Sequence, residues 1–292
     1  MEKTGLHPRN RHRGGYDFPA LAQACPALGP FLLHAKHGGI SIDFSDGAAV
    51  RALNRAILVQ VYGVQGWELP EGFLCPPIPG RVDYLHHAAD LMAAGGQLLR
   101  GSAVRVLDIG TGASLVYALL GHREYGWSFV GTDTSRAALL SAQRILEANP
   151  DLASGISLRH QRRPDAIFEG VVQQGERFDL VMSNPPFFHS AAEAKASTSA
   201  KWRKLGRASA GRNFGGQGAE LWCEGGEVAF IRRMISESAA RPGLARWFTS
   251  LVSKSANLPA IHRALRQAEA KDLHTVEMAQ GQKKSRFVAW RF

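Results

Sequence analysis

The chain has 292 residues, 45% of them hydrophobic, enough to bury a full α/β core, and no apolar run approaches the roughly 20 residues of a membrane span. Its 35 Lys and Arg against 25 Asp and Glu leave a formal net charge of +10, which favours a polyanionic partner through counterion release. The start of the chain is basic and lacks the apolar stretch of a secretory signal, and Cys25, Cys75 and Cys223 are too scattered for a disulfide framework or zinc site, so a cytoplasmic, metal-free protein is expected.

Taken in chain order, Lys3, Arg9, Arg11 and Arg13 crowd the first thirteen residues beside His7 and His12, in a segment with too few apolar residues to fold alone. It reads either as a disordered tail or as an arm that contacts nucleic acid. Residues 1–80 predict a helical accessory module, with a short helix from Asp17 to Ala24 and an amphipathic one from Asp46 to Tyr62 that begins with an Asp cap. Cys75-Pro76-Pro77-Ile78-Pro79-Gly80 is expected to be non-helical and to hinge this module to a catalytic domain, residues 81–292. Arg81 is expected just before a helix from Val82 to Leu99, where its guanidinium serves either a surface ion pair or a bound carboxylate.

Val104 to Ile109 reads as a strand running into Gly110-Thr111-Gly112-Ala113-Ser114, and Leu115 to Leu120 then looks helical. A glycine loop between strand and helix lets a cofactor approach the backbone. Trp127 to Thr132 forms another apolar strand ending in Asp133, placed to accept bonds from ribose hydroxyls, and Ala137 to Ala148 reads as an amphipathic helix. The third glycine of the dinucleotide fingerprint is missing, which disfavours a dehydrogenase.

Phe178 to Ser183 is the apolar run of a buried parallel strand, and Asn184-Pro185-Pro186-Phe187 follows at its carboxyl end. The first proline holds Asn184 extended, so its amide oxygen and the Pro185 carbonyl can face one point. Two converging acceptors suit an exocyclic NH2 group, which then has its lone pair freed from the ring, while Phe187 can stack on that ring. A cofactor loop after the first strand, an acid after the second and this tetrapeptide after the fourth together describe a Rossmann-like class I S-adenosylmethionine-dependent amino methyltransferase.

Beyond it, Lys195, Lys201, Arg203, Lys204, Arg207 and Arg212 form a second basic cluster in a stretch rich in Ala, Ser and Gly, expected to contact phosphates beside the catalytic strand. His189 stands near the tetrapeptide as a possible proton acceptor or packing residue. Glu224 and Glu227 flank Gly225-Gly226 at the start of a helix from Glu227 to Ala239, and both are read as structural, Glu227 as a helix cap. A strand from Trp247 to Val252, a helix from Leu258 to Ala270 and an antiparallel pair, Thr275 to Met278 with Arg286 to Phe292 around Gly281, complete a seven-stranded sheet with helices on both faces.

The chain resembles the bacterial 23S ribosomal RNA adenine-N(6) methyltransferases, which are related to a eukaryotic enzyme that methylates adenine in small nuclear RNA. The resemblance covers nearly the whole chain and includes Leu6 to His12, Ser41 to Phe44, Leu74 to Arg81, Asn184 to Phe187, Asn213 to Gly216, Cys223 to Glu227 and Met278 to Lys283. It implies adenine in RNA as substrate, a cofactor carboxylate held near Arg81, and an amino-terminal arm, Lys3 to Arg13, that helps grip RNA. The implied partner is 23S ribosomal RNA or a large-subunit assembly intermediate, bound by a monomer. The sequence departs from the family's pattern at Ser114, where Asn is expected, and at Phe188, which separates Phe187 from His189 and offers a second aromatic to the RNA. Asn-Pro-Pro-Phe alone fits a protein-glutamine or DNA methyltransferase equally, and a non-catalytic RNA-binding assembly protein would keep the fold with a decayed cofactor loop. Asp108, Gly110, Gly112, Asp133 and Asn184 are all present, against decay.

Overall fold

The computed structural model describes residues 5–35, 38–190, 192–193, 218–280 and 283–292. Helix α1 (Phe18–Ala24) begins where the Asp17 carboxylate accepts a bond from the Ala20 N–H. A two-stranded antiparallel ribbon, β1 (Leu32–His34) with β2 (Ile40–Ile42), adds to the helical module that the sequence predicts. Helix α2 (Gly47–Tyr62) is capped by Asp46, as the sequence predicts, and ends at a left-handed Gly63.

Helix α3 (Ile78–Ala93) corrects one expectation. The Ile78-Pro79-Gly80 stretch is helical, because a proline in the first turn lacks only an N–H that would have no intrahelical partner there. Arg81 therefore lies within the first turn rather than ahead of the helix, and its N–H donates to the Pro77 carbonyl at 3.2 Å. The helix also stops earlier than Leu99, at a left-handed Ala94 followed by two glycines.

The remaining elements are β3 (Arg105–Ile109), α4 (Val116–Tyr125), β4 (Ser128–Asp133), α5 (Arg136–Glu147), α6 (Pro150–Ala153), β5 (Ile156–His160) and β6 (Phe178–Ser183). After them come α7 (Gly218–Leu221), α8 (Gly226–Ala239), β7 (Ala245–Leu251), α9 (Leu258–Gln267), β8 (Asp272–Gln280) and β9 (Lys283–Arg291). Among the described residues the large sheet has seven strands in the order β5-β4-β3-β6-β7-β9-β8. The first five are parallel, and β9 and β8 run antiparallel to their neighbours. This is the Rossmann-like class I methyltransferase fold.

Alternate side chains of each central strand face opposite layers. Val106, Leu180, Trp247 and Phe287 join a core with residues of α2, α3, α4 and α5, whereas Leu107, Val181, Phe248 and Val288 pack with α8 and α9. The first of these cores begins at Phe18 and so runs across residue 80 without a break, tying α1 and α2 to the sheet layer. No described helix is long and apolar enough to cross a membrane, and no described group of three His, Cys, Asp or Glu could hold a metal.

Candidate active site

Strands β3 and β6 are parallel neighbours with Ile109 opposite Ser183, so the residues that follow, Gly110 and Asn184, emerge side by side at the carboxyl edge. Here the strand order reverses, with β4 and β5 on one side and β7 on the other, and such switch points leave a crevice. Two left-handed glycines shape the β3 loop, Gly110 at φ 74° and Gly112 at φ 69°. The N–H groups of Gly110 and Thr111 both donate to the Thr132 carbonyl at 2.9 Å, which fixes the loop to the end of β4. A Cβ on Gly110 would meet nothing within 4 Å, so that face of the loop is open to an incoming group. The loop then enters α4 through Leu115, a fully buried residue held at φ 52°, where a side chain costs backbone strain.

Asp133 lines the same pocket. Its Oδ2 accepts the Gly112 N–H at 3.0 Å and its Oδ1 the Ser135 N–H at 2.8 Å, leaving further lone pairs for hydroxyl donors. Burial raises its pKa above the ordinary carboxylate value. Asp108 in β3 is fully buried, and the neighbouring Thr111 side chain offsets that burial only in part. Burial pushes this carboxyl up to about 7. Arg81 reaches the pocket from α3, donating from Nη1 to the Tyr117 hydroxyl at 2.7 Å and lying 5.5 Å from that ring's centre, with its buried Nε unpartnered.

Asn184 and Pro186 line the same pocket, and Pro185 is buried. Phe187 and Phe188 are half-buried outside the lining, their N–H groups both donating to the Leu221 carbonyl, at 3.0 and 2.9 Å. The structure thus brings together Arg81, Gly110, Gly112, Ser114, Asp133, Asn184 and Pro186, with Asp108 buried in β3, and leaves Phe187 and Phe188 outside the pocket lining. His189 stands against the Gly225-Gly226 turn, where a Cβ on Gly226 would come within 2.8 Å of its Nδ1. Glu224 is exposed. Buried Glu227 does not cap its own helix; its two oxygens accept from the Ser253 N–H and the Asn257 amide, each at 2.6 Å.

Several lining residues escaped the sequence reading. Tyr117 is the second residue of α4, close enough to the β3 loop for its side chain to line the pocket. Gln161, Ala166 and Ile167, after β5, also line the pocket, as does Glu220, which accepts the Leu74 N–H at 3.0 Å. Trp67, from the connection after α2, donates its indole N–H to the Ser114 carbonyl at 3.0 Å. No local motif announces any of these.

The amino-terminal segment is ordered against the body. Arg9 donates to Asp90 at 2.7 Å, to the His86 carbonyl at 3.0 Å and to the Tyr125 hydroxyl at 3.2 Å. Arg11 pairs with Glu124 at 3.1 Å and lies over Tyr62, while Arg13 is exposed. Lys3 and the second basic cluster, Lys195, Lys201, Arg203, Lys204, Arg207 and Arg212, lie outside the described residues.

The groups present fit S-adenosylmethionine. An open glycine cradle, an acid at the end of β4, and a cation with an unpartnered donor match its backbone-contacting edge, ribose and carboxylate in turn.

A family model described as RNA methyltransferase matches residues 1–292. A ribosomal RNA large subunit methyltransferase F from Methylobacillus flagellatus is 55% identical over 311 residues, covering 100% of this chain and 93% of that protein. A protein of the same name from Yersinia enterocolitica is 52% identical, covering 100% and 89%. Among solved structures, the hMettl16 catalytic domain in complex with the MAT2A 3'UTR hairpin 1 aligns with a TM-score of 0.84 at 30% identity, over 99% of this chain and 96% of that one. The N-terminal domain of human METTL16 in complex with SAH aligns at 0.77 with 27% identity, over 99% of each chain. With its full length matched and its glycine loop, acid and Asn-Pro-Pro-Phe gathered at one switch point, the chain belongs to the RNA methyltransferase family.

Proposed function

We propose that this protein transfers a methyl group from S-adenosylmethionine to the exocyclic amino group of an adenine in 23S ribosomal RNA. The observation that carries this reading is the opening of Asn184 and Pro186 onto the pocket that holds the glycine loop, Asp133 and Arg81. The cofactor supplies an electrophilic methyl on a sulfonium. Arg81 would pair with its carboxylate, and Asp133 would accept its ribose hydroxyls while keeping the Gly112 and Ser135 bonds.

The target adenine leaves its stack and presents its amino group to Asn184. The Asn184 side-chain oxygen and the Pro185 carbonyl accept its two N–H bonds, which turns the nitrogen lone pair out of conjugation and aims it at the methyl. Positive charge grows on that nitrogen during attack, so both acceptors bind the transition state more tightly than the ground state. The carbon–sulfur bond would break as the carbon–nitrogen bond forms, leaving neutral S-adenosylhomocysteine, and the nitrogen's proton, acidic only once that bond forms, passes to water, so no strong base is needed before attack. Phe187 or Phe188, the half-buried aromatics that follow Pro186, stacks on the base.

Residues 1–80 act as an RNA-binding accessory module to a methyltransferase domain spanning residues 81–292. The basic cluster around Lys201, Arg203, Lys204 and Arg207 grips phosphates together with the amino-terminal cations, and the enzyme works as a cytoplasmic monomer. Its substrate is 23S RNA, free or in a large-subunit assembly intermediate. Mapping N6-methyladenine across 23S RNA from cells with and without the protein tests the proposal. One adenine should lose its methyl group, and transfer to naked RNA and to assembly particles in vitro then separates the two substrate forms. An unchanged map overturns the reading.

A further inference from the structure

Away from Asn184, a second set of polar side chains is buried where the amino-terminal segment crosses α3. Asn10 and Asp83 are 3% and 2% exposed. The Asn10 side-chain amide donates to the Pro79 carbonyl at 2.9 Å and to Asp83 Oδ1 at 3.1 Å, so both of its donors are used. Its oxygen accepts the His12 N–H at 3.0 Å, and the His7 N–H reaches the same Asp83 oxygen at 2.7 Å. Pro79 and Asp83 stand two residues before and two after Arg81.

That turn of α3 needs outside help. No side chain caps the helix, and Pro77 and Pro79 bring no N–H of their own. An uncapped first turn is where a helix frays. Arg81 depends on this turn for its place, since its guanidinium meets Tyr117 on a different helix and leaves Nε directed at no described partner. The buried amide of Asn10 does not cap those N–H groups; it cross-links the Pro79 carbonyl to the Asp83 carboxylate on either side of Arg81, and so braces the first turn from a segment more than sixty residues distant in sequence.

We propose that Asn10, acting with Asp83, is a positioning residue for the cofactor: it locks the first turn of α3 so that Arg81 presents its guanidinium to the carboxylate of S-adenosylmethionine. The proposal rests on the reading of the pocket as the S-adenosylmethionine site. It separates Asn10 from its charged neighbours, because a saturated, buried amide has nothing left to offer RNA.

Calorimetry with S-adenosylhomocysteine on the full chain tests it through a double-mutant cycle of Asn10→Ala and Arg81→Ala. Asn10→Ala is expected to weaken binding roughly tenfold, as loss of a buried hydrogen-bonding residue would. The double variant should bind no more weakly than Arg81→Ala alone, since there is then nothing to position. Affinity for a 23S RNA fragment, and its salt dependence, should not move. Asn10→Ser, which keeps a small donor, should recover part of the loss, and it replaces Asn10→Ala in the same cycle if the alanine variant does not fold. The positioning role is overturned if Arg81→Ala weakens binding and the Asn10 variants do not, if the two losses add, or if the Asn10 variants lose RNA affinity instead. Failure of the parent protein to bind S-adenosylhomocysteine at all would overturn the pocket reading itself.

Discussion

Asn184 faces the pocket from the β6 side, whereas the groups assigned to the cofactor come from β3, β4 and α3. Removing its side chain should therefore stop chemistry and spare binding. Asn184→Ala is expected to lower the single-turnover rate by about a hundredfold, the usual effect of losing an acceptor for developing charge, with S-adenosylhomocysteine affinity near normal. A near-normal rate would remove Asn184 from the mechanism. Asp108 gives a second prediction, through pH. Burial raises its folded pKa to about 7, against roughly 4 in an unfolded chain. A group with a raised folded pKa contributes stability that is complete below the unfolded value and is lost as pH rises through the folded one. The stability of the cofactor-free protein should thus fall between about pH 4 and pH 7 on account of this residue. Asp108→Asn should remove that slope and melt a few degrees higher at pH 8, read by thermal melts across the range. A lower midpoint at pH 8 would mean that the ionised carboxylate is stabilising after all. Both residues were legible in the sequence because each adjoins a strand end. Phe187 was less so, since a motif fixes order along the chain but not the direction in which a ring points.

At the scale of elements, α8 begins at two left-handed glycines and has no side-chain cap, so its first turn is held by Glu227 reaching out to the β7–α9 connection. Glu227→Ala would leave the Ser253 N–H and the half-buried Asn257 amide without this partner, at a cost of about 1 to 2 kcal/mol. Urea unfolding should show this loss, and Glu227→Gln should recover part of it because the amide oxygen still accepts. An unchanged midpoint would demote Glu227 to a surface contact. The sequence told least where an element's pattern was ambiguous. Strands β3, β4 and β6 are buried on both faces and read as apolar runs, but β5 is an edge strand, Ile156-Ser157-Leu158-Arg159-His160, with only Ile156 buried, and gives no such signal. The start of α3 was hidden by its prolines, which forbid a helix interior and suit a first turn. Helix starts marked by Asp17 and Asp46 were legible because a cap is a local, chemical event.

Across the whole molecule, the +10 charge is unevenly committed. Arg9 and Arg11 spend their donors on Asp90, Tyr125 and Glu124, so their first duty is to hold the amino-terminal segment on α3 and α4. Neutralising them should lower the melting temperature more than it changes the salt dependence of RNA binding. Neutralising Lys201, Arg203, Lys204 and Arg207 should do the reverse, each lost phosphate contact reducing the log-log salt slope by roughly 0.7 on single-stranded RNA. Equal slopes for the parent and the four-residue variant would show that these charges serve solubility alone. Net charge is visible in any sequence. Which cations are already paired is not, because Arg9 and Asp90 meet only after the chain has folded.

The indole of Trp67, 1% exposed, donates its N–H to the carbonyl of Ser114 in the cofactor loop. Its excited state therefore sits in the electric field of that loop. A cation or dipole arriving at Ser114 should shift the emission of this one fluorophore, and Trp67→Phe should erase the change while the other tryptophans go on emitting. The protein carries an optical gauge of its own occupancy, so loading can be followed in solution without a label and before any RNA is present.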